Sequence, residues 1–174
     1  MVEMPRHIIQ YFHTGMDYSL IWTYTVYNLV LLRLEAFMKE LENQLVYSYA
    51  AGIINGEGSI LLSHSNNTTF RNPVVSVSST SYELLLWLKS NFGGHICTHK
   101  VYKFHHKPNW SWRLASDSSI SFLKLILPYM KEKSKCRRAK LICLFYKKLT
   151  KRNGKYTLIE RKAKLKFERI FLSS

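Results

Sequence analysis

From Tyr49 to Ile60 the chain reads YAAGIINGEGSI, the stretch that most restricts what it can fold into. Gly52 and Gly56 stand four residues apart on one helix face, with Ala51 beside them. With no side chains at those two positions, a second helix can come close to the backbone there. Gly56 can take the left-handed conformation that ends helices. A single carboxylate, Glu57, follows in an otherwise uncharged stretch, where the helix must give way to another element.

That element is a strand. EGSILLSHS is followed by the polar turn NNTTFRN and then PVVSVSS, in which Val75 and Val77 alternate with Ser76 and Ser78. Such alternation marks a half-buried strand, and the two segments predict a hairpin. Thr80 and Glu83 have the spacing of a capping box. Leu84, Leu85, Leu88 and Phe92 then recur at helical spacing until Gly93 and Gly94. HICTHKVYK and NWSWRLAS predict a second hairpin, joined around FHHKP, and Trp110 and Trp112 read as core rather than stacking platforms. Asp117 is placed to cap a helix with Ile120, Leu123 and Leu127 inside, ended by Pro128. SKCRRAKLICLFYKKL sets Ile142, Phe145, Tyr146 and Leu149 on one face, and a last helix is expected from about Tyr156 to Leu172. This order predicts an α+β fold, αββαββα, with helices on one face of a four-stranded antiparallel sheet and extra C-terminal helices. The other sheet face stays open, a concave surface able to lie along a nucleic-acid groove.

Upstream, Tyr18 to Leu32 contains no charged residue. The run is too short for a bilayer, which needs about 20 residues. It carries Ser19, Thr23, Thr25, Asn28 and three tyrosines, and it leads into the amphipathic RLEAFMKELENQ. It reads as a packed helix rather than a secretory signal. Residues 1–45 are therefore read as an N-terminal helical appendage and residues 46–174 as the main domain. Three cysteines, Cys97, Cys136 and Cys143, lack metal-ligand spacing and suit a reduced compartment, so an intracellular, unsecreted protein with no membrane partner is expected.

Lys and Arg number 26 against 11 Asp and Glu, a net charge of +15, and residues 131–174 hold 16 of the basic residues with only three acids. An apolar content of 47% excludes a disordered polyelectrolyte. A folded protein with this charge suits a polyanion, nucleic acid first and an anionic membrane surface second.

The sequence AAGIINGEG resembles the LAGLIDADG motif of homing endonucleases, in the variant that ends G-E-G-S-I. The resemblance runs over about residues 46–150, through NPVVSVSSTSYELLLWLKSNFGGHI, WSWRL and LPYMKEKSKCRRAKL. It departs at Ala50, where leucine is usual, and at Asn55, where the family has its first acid. The second acid, the family's metal ligand, is kept as Glu57. With one copy of the motif, the resemblance implies a homodimer that makes a double-strand cut in a long, nearly palindromic intron-insertion site. The two motif helices would pair through Ala51, Gly52, Asn55 and Gly56, and a sheet from each subunit would lie in a major groove.

The resemblance also assigns roles. Glu57 and the Gly56 carbonyl would bind Mg²⁺ or Mn²⁺, and the catalytic lysine falls at Lys133, with Lys131 and Lys135 as close competitors that otherwise face phosphates. Ser59, Leu61, Ser63 and Ser65 share a strand face with Glu57, and Ser76 and Ser78 lie on the matching face of the next strand. Together with Arg71 and Arg113, expected near strand ends, these residues are candidates for DNA contact. His105, His106 and Asn109 read as ordinary loop residues. Two other readings stay open: an intron RNA splicing maturase, and a DNA-binding relative that has lost cleavage.

Overall fold

The computed structural model describes residues 18–64, 69–99, 108–151 and 155–174, with side chains from residue 22 onward. The chain divides into two compact units, Met1–Gln44 and Leu45–Ser174. Helix α1 runs through the boundary, from Tyr18 to Gly56. The helix that carries Gly52 and Gly56 is therefore 39 residues long and crosses the expected boundary at residue 46. The physical reason is an absence of breakers: no glycine or proline occurs between Tyr18 and Ala51, and Leu, Ala, Glu, Lys and Gln favour helix from Leu31 to Gln44. The expected packed helix is also corrected. From Trp22 to Gln44 the described side chains are exposed, except for half-buried Asn28 and Asn43. No helix among the described residues is long and apolar enough to cross a membrane.

The second unit is the α+β domain. Strands β1 (Gly58–Ser63), β2 (Asn72–Ser79), β3 (His95–Thr98) and β4 (Trp110–Ala115) form one antiparallel sheet in the order β1-β2-β4-β3. Helix α2 (Tyr82–Phe92) joins the two hairpins. After β4 come α3 (Ser116–Ile126), a 3₁₀ turn at Leu127–Tyr129, α4 (Lys133–Leu141) with a π-helical continuation at Ile142–Tyr146, and α5 (Leu158–Leu172). Ile60, Val75, Val77, Trp112 and Leu114 point inward from the strands. They form one core with Ile54 of α1, Leu85 and Leu88 of α2, and Ile120, Leu123 and Ile126 of α3. Trp112 is fully buried, and its indole N–H donates to the Gly93 carbonyl at 2.8 Å.

Two glycines set the close turns. At Gly58 a Cβ would stand 2.6 Å from the Ile54 Cα, so β1 can leave α1 after Glu57 alone only through glycine. Gly94 has φ 86°, and a Cβ there would lie 2.6 Å from the Arg113 carbonyl oxygen.

Several local expectations change. Helix α2 is preceded by Ser81 at the N-cap, which makes no side-chain cap bond, so the Thr80–Glu83 capping box does not form. The N-cap of α3 is Ala115; Asp117 sits in the first turn and pairs with Lys147 at 3.1 Å. Leu127 is half-buried in the 3₁₀ turn. The π-helical stretch widens the turn at Ile142–Tyr146, so Ile142 and Tyr146 are buried while Phe145 faces solvent. Helix α5 begins at Leu158, where Thr157 and Glu160 form a capping box.

α5 brings a fully buried lysine against the domain. The Lys164 ammonium lies 3.7 Å from the centre of the Tyr146 ring and donates to Thr150 Oγ1. Burial pushes its pKa down to about 8, opposed by the neighbouring Glu168. The unfolded chain keeps this proton up to the ordinary lysine value of 10.5. Between those values the unfolded state binds more protons, so this residue makes stability rise with pH. In urea titrations, the stability of the wild type relative to Lys164→Met is expected to increase from about pH 7.5 to about 9.5. A gap independent of pH would show that Lys164 is ordinarily solvated.

Candidate nucleic-acid interface

The last turn of a helix leaves four carbonyls without intrahelical donors, and α1 has a partner for each. The Glu57 amide donates to the Ile53 carbonyl at 2.9 Å. The Lys135 ammonium, from α4, donates to the carbonyls of Ile54 at 2.9 Å, Asn55 at 2.7 Å and Gly56 at 3.3 Å. A cation there also meets the negative end of the helix dipole.

Asn55 completes the junction. Its Oδ1 accepts from the backbone amides of Lys131 and Glu132, both at 3.3 Å. An aspartate could accept the same two bonds, but it would add a full negative charge at the negative helix end. Glu132 in turn caps α4 by accepting from the amides of Lys135 and Ser134, which in that order hold its carboxyl below the usual carboxylate range. Residues 131–135 are thus bound to the end of the glycine helix. Lys131 and Lys133 point into solvent, and with Arg137 and Lys140 they line a groove of about 460 Å³.

Glu57 is exposed, one residue before β1 and in phase with the outward residues of that strand. Ser59 and Leu61 are exposed and Ser63 is half-buried, whereas Gly58, Ile60 and Leu62 are buried. Across the sheet Ser59 pairs with Ser76, Ser76 with Arg113, and Arg113 with His95. A polar row therefore crosses all four strands, with Ser78, Ser111 and Cys97 in the row beside it. Arg113 sits in the middle of β4, which corrects its expected place near a strand end.

Other sequence candidates stand apart from this row. The Arg71 amide donates to Glu168 Oε1 at 3.0 Å and its guanidinium lies 4.0 Å from the same carboxylate, so α5 holds it. Gly52 and Gly56 are exposed, and a Cβ at either would meet nothing within 4 Å. Ala51 is fully buried in its own unit, and Asn55 is half-buried with its oxygen engaged. Ser65, His105 and His106 lie outside the described residues.

Sequence reading missed His95, Ser111, His99 and Glu132. Alternation in HICT would have turned His95 outward, but its place beside Arg113 follows from strand register. The Ser111 hydroxyl is buried and lies 2.7 Å from His99 Nε2.

No protein-family model matches the sequence. No curated protein matches it either. Among solved structures, the archaeal intron-encoded homing endonuclease I-Vdi141I, complexed with DNA, matches with a TM-score of 0.54 at 20% identity, over 73% of this chain and 82% of that one. The homing endonuclease I-CvuI, in complex with its target in the presence of calcium, matches with a TM-score of 0.50 at 20% identity, over 62% and 69%. This chain has the LAGLIDADG homing endonuclease fold. The meganuclease I-SmaMI, bound to uncleavable DNA, matches with a TM-score of 0.50 at 17% identity, and there the homing endonuclease fold of this chain covers only 43% of the longer protein.

Among the described residues no three His, Cys, Asp or Glu side chains cluster as a ligand set. Glu57 is an exposed carboxylate of the hard oxygen class that Mg²⁺ takes, and the Gly56 carbonyl beside it has one lone pair left after accepting from the Lys135 ammonium at 3.3 Å.

The junction predicts a sharp contrast between neighbouring lysines. Lys135→Met leaves three carbonyls without a donor and is expected to lower stability by about 1–3 kcal/mol. Lys131→Met, which keeps the backbone amide that Asn55 uses, is expected to stay within about 0.5 kcal/mol. Urea unfolding of both variants measures this directly, and equal effects would refute the capping role.

Proposed function

We propose that the chain is a site-specific homing endonuclease that cuts double-stranded DNA as a homodimer with Mg²⁺ or Mn²⁺. The observation that carries this reading is the position of Glu57: an exposed carboxylate at the clamped end of a helix, in phase with the open sheet face, next to two uncovered glycines. Two copies related by a two-fold axis through Gly52 and Gly56 would bring two Glu57 residues together. Their mutual repulsion favours divalent cations between them.

The bound ion would neutralise charge on the scissile phosphate and acidify water. Glu57 would hold it, helped by the lone pair of the Gly56 carbonyl that Lys135 leaves free. Lys133, exposed at the first residue of α4, offers its ammonium to the phosphate as charge develops there. Lys131, Arg137 and Lys140 add salt-dependent phosphate contacts. Ser59, Leu61, Ser63, Ser76, Ser78 and Arg113 present the reading surface, and the Arg113 guanidinium is the group suited to a guanine edge in the major groove. Lys135 acts through the helix end, a positioning part.

The test is incubation of the purified protein with a plasmid library carrying candidate intron-insertion sites, in Mg²⁺ or EDTA. Metal-dependent double-strand breaks at one pseudo-palindrome are expected. Glu57→Gln is expected to lower cleavage by about 100-fold or more with DNA affinity retained. Tight binding to DNA or intron RNA with no cut in Mg²⁺, or in Mn²⁺ used in its place, would sink the nuclease reading.

A further inference from the structure

Helix α1 exposes a regular apolar seam. Tyr27, Leu31, Leu34, Met38, Leu41 and Leu45 follow one another at intervals of four, three, four, three and four residues. All six are between 37% and 63% exposed. This is the repeat of a coiled-coil seam, with Leu31, Met38 and Leu45 at one core position and Tyr27, Leu34 and Leu41 at the other. The same alternation continues through Ser48 to Gly52, the glycine whose surroundings are empty to 4 Å.

We infer that this seam pairs with the same seam of a second copy of the chain as a parallel two-stranded coiled coil; the inference rests on the homodimer proposed above. From Tyr27 to Leu45 the coil would be about 27 Å long, at 1.5 Å per residue.

Charge selects this occupant over the others. Between Arg33 and Gln44 lie two basic and three acidic residues, in a chain of net charge +15. Such a segment does not attract nucleic acid or anionic lipid. A copy of itself meets no like-charge clash, because Glu35 and Glu42, which flank the seam, would face Val30 and Phe37 of the other helix. Leucine at Leu34 and Leu41 also suits two strands. Outside the seam residues 33–44 carry only Ala36 and Phe37 as apolar residues, too narrow a surface for insertion into lipid, whereas Leu29, Val30 and Leu32 before them are also exposed, so the vesicle test below bears on that part.

In a parallel, in-register coil each Leu41 lies against the other Leu41, while Glu40 points away. The full chain carrying Leu41→Cys is therefore expected to form a disulfide-linked dimer under mild oxidation. Glu40→Cys should link no more than the unsubstituted chain, whose own cysteines set the background. In sedimentation equilibrium, Leu34→Glu combined with Leu41→Glu should raise the dimer dissociation constant at least about tenfold. An unchanged near-UV spectrum would confirm that the domain stays folded.

Equal linking at positions 40 and 41, or an unchanged dissociation constant in the double variant, would overturn the coil. Flotation with phosphatidylcholine vesicles that the double variant loses, without linking at 41, would assign the face to lipid and overturn it too. Cleavage is read on the same samples. An active enzyme that never links at 41 refutes the coil and keeps the nuclease, whereas a linked but inert dimer does the reverse.

Discussion

The contact on which the domain depends is the Lys135 ammonium seated on the last carbonyls of α1. A helix end of this kind, exposed on one side and followed at once by a strand, has no room for an ordinary chain-reversing cap. The carbonyls are satisfied from a distant helix instead, and the same contact fixes where that helix begins. From this end the chain turns through Glu57 alone into Gly58, and the pairing of Gly58 with Val77 sets the register of β1. A slip of one residue would turn Ser59 and Leu61 into the core and Ile60 out of it.

A second anchor lies at the start of β2. Glu168 of α5 accepts the Arg71 amide, and the Tyr146 hydroxyl reaches Asn72 Oδ1 at 3.0 Å. The Lys164 ammonium lies over the Tyr146 ring. The basic C-terminal quarter is thus not a uniform electrostatic field. Lys135 and Lys164 are spent on internal contacts, whereas Lys131, Lys133, Arg137 and Lys140 face solvent together.

Much of this was legible in the residues, where the signal is local. The alternation of PVVSVSS, the glycine pair at 93–94 and the apolar spacing of Leu85 and Leu88 each depend on neighbours a few positions away, and each led to the correct element. Helix boundaries were less legible. The Thr80–Glu83 spacing was present without a capping box, because Ser81 rather than Thr80 took the N-cap position. The face assigned to Phe145 failed because the π-helical stretch shifts the helical phase, which a fixed period of 3.6 residues does not anticipate.

The sequence by itself determined the order of elements, the alternation that keeps one sheet face polar, and the arrival of a lone carboxylate just past a glycine-marked helix. All of these follow from periods of two and 3.6 residues along a single segment. Only the tertiary structure decided which lysine of the basic run meets the helix end, why Asn55 stands there, and that Ser59, Ser76, Arg113 and His95 line up across four strands. Those relations join residues as far apart as 81 positions. They depend on strand register and on where a later helix docks, and no short stretch of the chain encodes either.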